Sequence, residues 1–322
     1  MLLPDQSATL HDRLEDVAAL AARTNKAAVL VVQQFPVATD RRVCFPPVRE
    51  SIANLMMFVE LGTAEDLRAV LECADSFNWV AIDCDHKLPE SAAIVQDARA
   101  LVPKARLLFY SDNQVWVDSA LDMVQRLERG VSGKTIVLCG AGTLAESLAF
   151  LLKGIGASVI VPDAGDSPIA GSIVLGASQK RESIDAALID RLPSIASVYD
   201  LGIGNLRIDA ADRARARGFA LYRLDNRAGI SSAIVRLLET DNMVTTLMGR
   251  VRLRDVDVVA GGLLAPAGAV IVDDIRRPTM IFGVADGAGR FKSEPLAAGD
   301  REKLEYVRSL IAIASEASPS RV

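Results

Sequence analysis

The sequence predicts an α/β protein: a small N-terminal α/β domain, then a doubly wound parallel sheet, with a late β-hairpin and a C-terminal helix. Three observations carry this. Unbroken apolar runs of strand length, such as 27–32 and 135–139, read as strands buried on both faces. Segments of helical periodicity alternate with them, the order that builds parallel sheets. One run also feeds a glycine turn that opens the next helix, Gly140-Ala141-Gly142-Thr143-Leu144-Ala145.

Length and composition set the frame. The 322 residues suit about two domains, and 50% hydrophobic against 24% charged residues excludes disorder, collagen-like chains and disulfide scaffolds. The balance of 36 basic and 41 acidic residues gives −5, and the nearest approach to a basic cluster is a pair (Arg41-Arg42, Lys180-Arg181, Arg276-Arg277), so no nucleic-acid partner is expected. Cys44, Cys73, Cys84 and Cys139 stand singly, which supports neither a disulfide frame nor a zinc site, and Cys139 reads as a small buried hydrophobe. No basic segment followed by an apolar stretch opens the chain, and no apolar run approaches the roughly 20 residues of a membrane span. A soluble, cytoplasmic protein without a membrane partner is the expectation.

Along the chain, 10–24 has helical spacing and 27–32 reads as a strand. Pro46-Pro47 breaks the chain before an expected helix over 48–61. Thr63 is placed to cap a helix running to about 76, with Glu65 at its positive end. A strand over 79–82 ends in Asp83-Cys84-Asp85-His86-Lys87, a helix covers 90–101, and 106–110 is again a strand. Residues 1–114 are thus an N-terminal α/β substrate domain, and 115–130 a linking helix. In 131–295, strands are expected at 135–139, 158–161, 173–175, 198–201 and 220–224, with helices at 143–153, 183–191, 210–217 and 231–239. The runs 269–275 and 279–284, joined by Arg276-Arg277-Pro278, predict a hairpin. Residues 300–317 form an amphipathic helix through Leu304, Val307, Leu310 and Ile311, and the segment 296–322 is expected to pack back on the N-terminal domain.

The glycine turn has a complete context of strand, loop, helix, strand and acid, the fingerprint of a Rossmann-like dinucleotide-binding domain. Gly140 lets the chain leave the strand sharply. Gly142 lets a pyrophosphate approach the backbone, and Thr143 and Leu144 begin the helix whose free N–H groups favour anions. Ala145 allows close helix–strand packing. Asp163 follows at the spacing of a carboxylate that receives ribose hydroxyls, and with Asp166 it would repel a 2′-phosphate. NAD is therefore expected over NADP, although Lys180-Arg181 could fold back to serve NADP. Gly202 and Gly204, after the fourth strand of this domain, either leave room for the nicotinamide ring or form a plain turn. The stretch Asp225-Asn226-Arg227-Ala228-Gly229 is either a loop bordering the cofactor or a charged turn.

With Tyr110-Ser111-Asp112-Asn113 entering the linking helix ahead of the Gly133-Lys134 turn, residues 27–240 resemble the amino-acid-dehydrogenase-like class. That class includes methylenetetrahydrofolate and methylenetetrahydromethanopterin dehydrogenases, shikimate dehydrogenase and the pyrrolysine-forming dehydrogenase. The Asp112-Asn113 element is also similar to one in S-adenosylhomocysteine hydrolase, which has a much longer first domain. The chain lacks the Tyr-x-x-x-Lys signature of the folate enzymes and the Asn-Val-Thr…Lys run of shikimate dehydrogenase, of which Val80-Ala81-Ile82…His86-Lys87 is a distant echo. The resemblance implies an NAD(P)-dependent oxidoreductase acting between its domains on a small polar, amino-acid-derived substrate. A one-carbon folate or pterin dehydrogenase is the alternative, and a non-catalytic NAD(H) sensor or assembly subunit is the rival.

For catalysis, Lys87 is a candidate proton donor or carboxylate anchor if burial lowers its pKa toward neutrality; otherwise it is a solvated loop lysine. Asp112 would orient it, or would simply cap a helix. Asn113 and His86 are candidate substrate contacts. No metal is expected, because the consecutive residues 83–86 cannot converge on one ion. The apolar hairpin at 269–284 suggests a homodimer surface.

Overall fold

The computed structural model describes residues 4–35, 43–163, 165–178, 182–202 and 204–317. The chain divides into two compact units, Met1–Ile234 and Val235–Val322, rather than at 131 and 296.

The first unit contains two sheets. Helix α1 (Pro4–Arg23) leads into β1 (Ala27–Gln34), followed by β2 (Val43–Cys44), β3 (Arg49–Glu50), β4 (Asn54–Leu61), α2 (Ala64–Glu72), β5 (Trp79–Asp83), α3 (Ser91–Leu101) and β6 (Arg106–Tyr110). The first sheet has the order β2-β4-β1-β5-β6, with β3 also on β4. Strands β4, β1, β5 and β6 run parallel, and β2 and β3 antiparallel to β4. The expected helix over 48–61 is instead β3 and β4. Periodicity cannot separate a helix from a strand over the short run Leu55-Met56-Met57-Phe58-Val59. Eight residues of register with β1, from Ala27↔Asn54 to Gln34↔Leu61, decide for the strand, and every β4 residue except Glu60 is buried. Thr63 caps α2 as expected, its hydroxyl accepting from the Asp66 N–H.

The second sheet follows: α4 (Asp112–Leu127), β7 (Thr135–Cys139), α5 (Thr143–Gly154), β8 (Ser158–Ile160), β9 (Ile173–Gly176), α6 (Ala186–Arg191), β10 (Ser197–Asp200), α7 (Ile208–Ala216), β11 (Ala220–Arg223) and α8 (Ile230–Asn242). Its order is β11-β10-β9-β7-β8, all parallel. Strand order reverses at β7, the first of these strands, which is where open α/β sheets leave a crevice outside their carboxyl ends. Helix α4 starts earlier than expected, at Asp112. Its N-cap is Ser111, whose hydroxyl accepts from the Gln114 N–H at 3.2 Å, so Asp112 is not the cap.

The second unit has a sheet of its own. Strands β12 (Gly249–Leu253), β13 (Val256–Ala260), β14 (Val270–Val272) and β15 (Ile281–Val284) lie in that order, and α9 (Ala298–Ala317) follows. The antiparallel pair β14–β15 is the expected hairpin, but it is half of a four-stranded sheet and not an appendage of the second. Val307 of α9 is buried in one cluster with Val256, Val258, Ala260, Val270 and Val272 of this sheet.

Asp273 ties the β14–β15 turn. Its carboxylate accepts from the Thr279 N–H (2.8 Å), the Thr279 hydroxyl (2.6 Å) and the Met280 N–H (3.0 Å). Burial opposes this ionisation, but these bonds outweigh it and hold the carboxyl down at about 2. A depressed carboxylate stabilises the fold above its unfolded pKa and loses that contribution as pH falls through the folded one. Asp273→Ala is expected to cost about 1–3 kcal/mol at neutral pH. The deficit should shrink as pH falls from about 4 to about 2, measured by denaturant titration at several pH values.

Among the described residues, no helix is long and apolar enough to cross a membrane.

Candidate active site

Because β1, β4, β5 and β6 are parallel, their carboxyl ends place Gln33 and Gln34, Glu60, Asp83 and Asp112 on one side of the first sheet. Asp112, one residue past the β6–α4 junction, is 3% exposed. Four donors surround its carboxylate. Oδ1 accepts from Asn226 Nδ2 (2.7 Å) and Gln33 Nε2 (3.0 Å); Oδ2 accepts from Lys87 Nζ (2.6 Å) and Trp116 Nε1 (3.2 Å). Asn226 begins a short 3-10 turn after β11, so this one carboxylate joins the carboxyl ends of both sheets. Gly229 closes that turn against α4, and a Cβ there would stand 2.3 Å from Ser119 Oγ.

Lys87 reaches Asp112 because the loop after β5 folds back on itself. Asp83 Oδ1 accepts the N–H groups of Asp85 (3.0 Å) and Asp112 (3.3 Å), and His86 takes the left-handed conformation at φ 52°. His86 is thereby exposed while Lys87 turns inward, its side chain 8% exposed. The ammonium lies 2.6 Å from Asp112 Oδ2, 3.0 Å from Asp83 Oδ2 and 3.8 Å from Asp85 Oδ2. The Asp83 contact is an ion pair off the hydrogen-bond line, so that buried oxygen has no hydrogen-bond partner. Asn113 enters through its main chain, donating its N–H to Asp85 Oδ2 at 2.6 Å.

The electrostatics reverse one expectation. Burial alone would depress the Lys87 ammonium, but the Asp112 and Asp83 carboxylates outweigh it and the net shift is upward. Lys87 keeps its proton; it is not tuned toward neutrality. The group that is tuned is Asp83, pushed up to about 6 by burial, with Lys87 pulling it down and Asp112 pushing it further up. Glu60 is also raised, by burial first and then by Asp112.

In the second sheet, the turn after β7 has the geometry the glycines were read for. Gly140 has φ 154°, and a Cβ on it would lie 2.6 Å from the Ala177 carbonyl carbon and 2.7 Å from the Ser178 nitrogen. The turn can press against the chain leaving β9 only without a side chain. Gly142 is the N-cap of α5, with φ 96°, no side chain bonded to the helix end, and open space where a Cβ would be. Thr143 is exposed, whereas Leu144 and Ala145 are buried in the core with Ile136 and Leu138. Those two can meet a ligand only through their main-chain N–H groups. A pyrophosphate fits this cradle: free helix N–H groups, the positive end of the dipole, and no side chain in the way.

Strands β7 and β8 run parallel with Val137 opposite Ile160, so Asp163, three residues past β8, leaves the sheet at the same carboxyl edge as Gly140. Asp163 is not alone there: Arg191 Nη2 donates to its Oδ1 at 2.8 Å, and Nη1 to its main-chain oxygen at 2.8 Å. Lys180 and Arg181 lie outside the described residues. At Gly202, with φ 78°, a Cβ would stand 2.8 Å from Leu224 O and 3.1 Å from the Trp116 ring. The space that glycine leaves is taken by those groups and not by a ring-sized opening. Gly204, at φ 76°, accepts the Glu182 N–H on its main-chain oxygen.

The sequence marks Asn226 only as part of a stretch bordering the cofactor and Asp83 only as part of a polar strand end, and it does not select Gln33, Gln34, Glu60, Trp116 or Arg191. Gln33, Gln34, Glu60 and Asp83 carried a usable signal, since each is a polar residue at or next to the end of an apolar strand run. Glu60 was hidden by reading 48–61 as a helix.

No family model matches the chain, and no curated protein matches it in sequence. Among solved structures, it is similar to the bifunctional methylenetetrahydrofolate dehydrogenase/cyclohydrolase FolD of Campylobacter jejuni, at 14% identity over 73% of this chain and 94% of that one, with a TM-score of 0.35. It is also similar to a hetero-hexameric glutamate dehydrogenase of Thermus thermophilus, at 11% identity over 68% of this chain and 70% of that one, TM-score 0.37. A chorismate mutase/shikimate 5-dehydrogenase fusion protein of Clostridium acetobutylicum is similar at 12% identity over 69% and 92% of the two chains, TM-score 0.34.

Proposed function

We propose that the chain binds a nicotinamide dinucleotide on the β7–α5 turn. It would use the cofactor as an oxidoreductase acting on a small polar, amino-acid-derived substrate at the carboxyl ends of the two sheets in the first unit. The observation that carries the reading is the turn itself: Gly140 clamped against the Ala177–Ser178 backbone and Gly142 open at an uncapped helix start, at the strand where sheet order reverses. When bound, such a cofactor supplies or accepts a hydride. The chain's own residues orient: main-chain N–H groups of Thr143, Leu144 and Ala145 face the phosphates, and Lys87 supplies fixed positive charge to a substrate oxygen or carboxylate. Asp83, the carboxyl raised by burial, is itself fully buried and would bear on a substrate proton only through the Lys87 ammonium 3.0 Å away.

The test is calorimetric titration of the purified full chain with NADH and NADPH. Binding of at least one is expected, with Gly142→Val weakening it at least about tenfold, because the side chain fills the space a pyrophosphate needs. Absence of heat for both nucleotides would end the proposal. Turnover is then followed at the nicotinamide absorbance band with amino acids, hydroxy acids and reduced folates. One observation favours a second reading, a dinucleotide sensor without turnover: every lone-pair direction of Asp112 is already taken and Lys87 holds its proton. Dinucleotide binding without turnover across that panel is its signature.

A further inference from the structure

We infer that Arg191 reads the adenosine 2′ position of the dinucleotide and admits a 2′-phosphate, so that the chain takes NADP(H) at least as readily as NAD(H). This rests on the dinucleotide reading above and goes beyond it. The sequence alone pointed the other way, since an unaccompanied Asp163 would repel the phosphate.

β8 runs parallel to and beside β7, so Asp163, three residues past the end of β8, lies at the same edge of the sheet as the glycine turn, where the ribose of a dinucleotide is met. Arg191, the last residue of α6, is fixed there from behind: Nε donates to Ser167 O and Nη1 to Asp163 O, each at 2.8 Å, and its side chain is only 12% exposed. These main-chain acceptors hold the guanidinium whatever the carboxylate does. The Asp163 carboxylate, by contrast, is 80% exposed and held on Oδ1 by Arg191 Nη2 and by the Gly165 N–H at 3.3 Å. An exposed carboxylate on an anchored guanidinium stands where another anion can replace it. A guanidinium N–H suits a phosphate oxygen, and Asp163 turned aside frees Nη2 for a 2′-phosphate while Nε and Nη1 stay on their main-chain acceptors. With a 2′-hydroxyl in its place, Asp163 stays and accepts a hydrogen bond from the hydroxyl. The exposed Asp166 is the other acid on this loop and weakens the phosphate's hold without removing it.

NADH and NADPH are titrated calorimetrically into the full chain and into Arg191→Ala, Arg191→Lys and Asp163→Asn. In the unaltered chain NADPH should bind at least as tightly as NADH. Arg191→Ala should weaken NADPH at least about tenfold while moving NADH by less than about threefold, and Arg191→Lys should recover part of the NADPH loss. A mere clamp on the 163–169 loop would instead weaken both nucleotides alike, which overturns the inference, as does any clear preference for NADH in the unaltered chain. Should Arg191→Ala fail to fold, Asp163→Asn decides: it removes the competing negative charge from the guanidinium, so NADPH should tighten relative to NADH, and an unchanged or reversed ratio removes the inference. NADH binding with unmoved selectivity leaves the dinucleotide reading standing. No binding of either nucleotide takes both down.

Discussion

Asp112→Ala is expected to lower the stability of the protein by about 3–5 kcal/mol, the loss found when one partner of a buried ion pair is removed. The carboxylate is 3% exposed and satisfies four donors at once. Its removal leaves Lys87 with one close carboxylate, Asp83, where there were two. It also orphans the amides of Gln33 and Asn226 and the Trp116 indole N–H, each a buried or half-buried donor whose desolvation is then uncompensated. Because Asn226 follows β11 and Gln33 is the last residue but one of β1, the loss falls on the junction of the two sheets. Asp112→Asn should recover only part of it, since one arm of the amide is a donor facing donors. Urea titration followed by circular dichroism measures both variants. A loss below about 1 kcal/mol for the alanine variant would mean that water reaches the cluster and the four bonds count for little.

Gly140→Ala is expected to cost about 3 kcal/mol and to abolish dinucleotide binding. The added Cβ would meet the Ala177 carbonyl carbon at 2.6 Å, the Ser178 nitrogen at 2.7 Å and the Ala177 oxygen at 2.8 Å. All three are main-chain atoms at the end of a central strand, so they cannot yield as a flexible side chain would. Overpacking and a backbone angle that side chains rarely adopt add together. The turn must then lift away from β9, which displaces the start of α5. Gly142→Ala, with open space around the new methyl, should lose less stability and act mainly on the nucleotide. Thermal unfolding with and without nucleotide separates the two variants; equal stability losses at both positions would contradict the close approach at Gly140.

Apolar runs ending in a turn gave β1, β5, β6 and β7 within two residues, because a strand buried on both faces needs no polar alternation. The Gly140 to Ala145 turn was legible because positive φ and close approach are properties of glycine itself. Lys87 and Asp112 were legible as polar residues just past strand ends. β4 was not, since its run fits helix and strand alike until β1 pairs with it. β12 and β13 were not recognised as strands, and the grouping of four strands with α9 into a separate unit depends on which elements bury the apolar side of that helix.

The sequence by itself determined the α/β class, the glycine turn, the hairpin at β14–β15 and the polar strand ends, because each follows from a residue's own backbone freedom or from its immediate neighbours. Only the tertiary structure decided that β4 is a strand, that Asp112 is held by Gln33, Lys87, Trp116 and Asn226, that Lys87 keeps its proton, and that Asp163 faces Arg191. The physical reason is separation along the chain: Asn226 lies 114 residues from Asp112 and Arg191 lies 28 from Asp163. The charge state and free lone pairs of a buried group are set by whatever folding brings beside it.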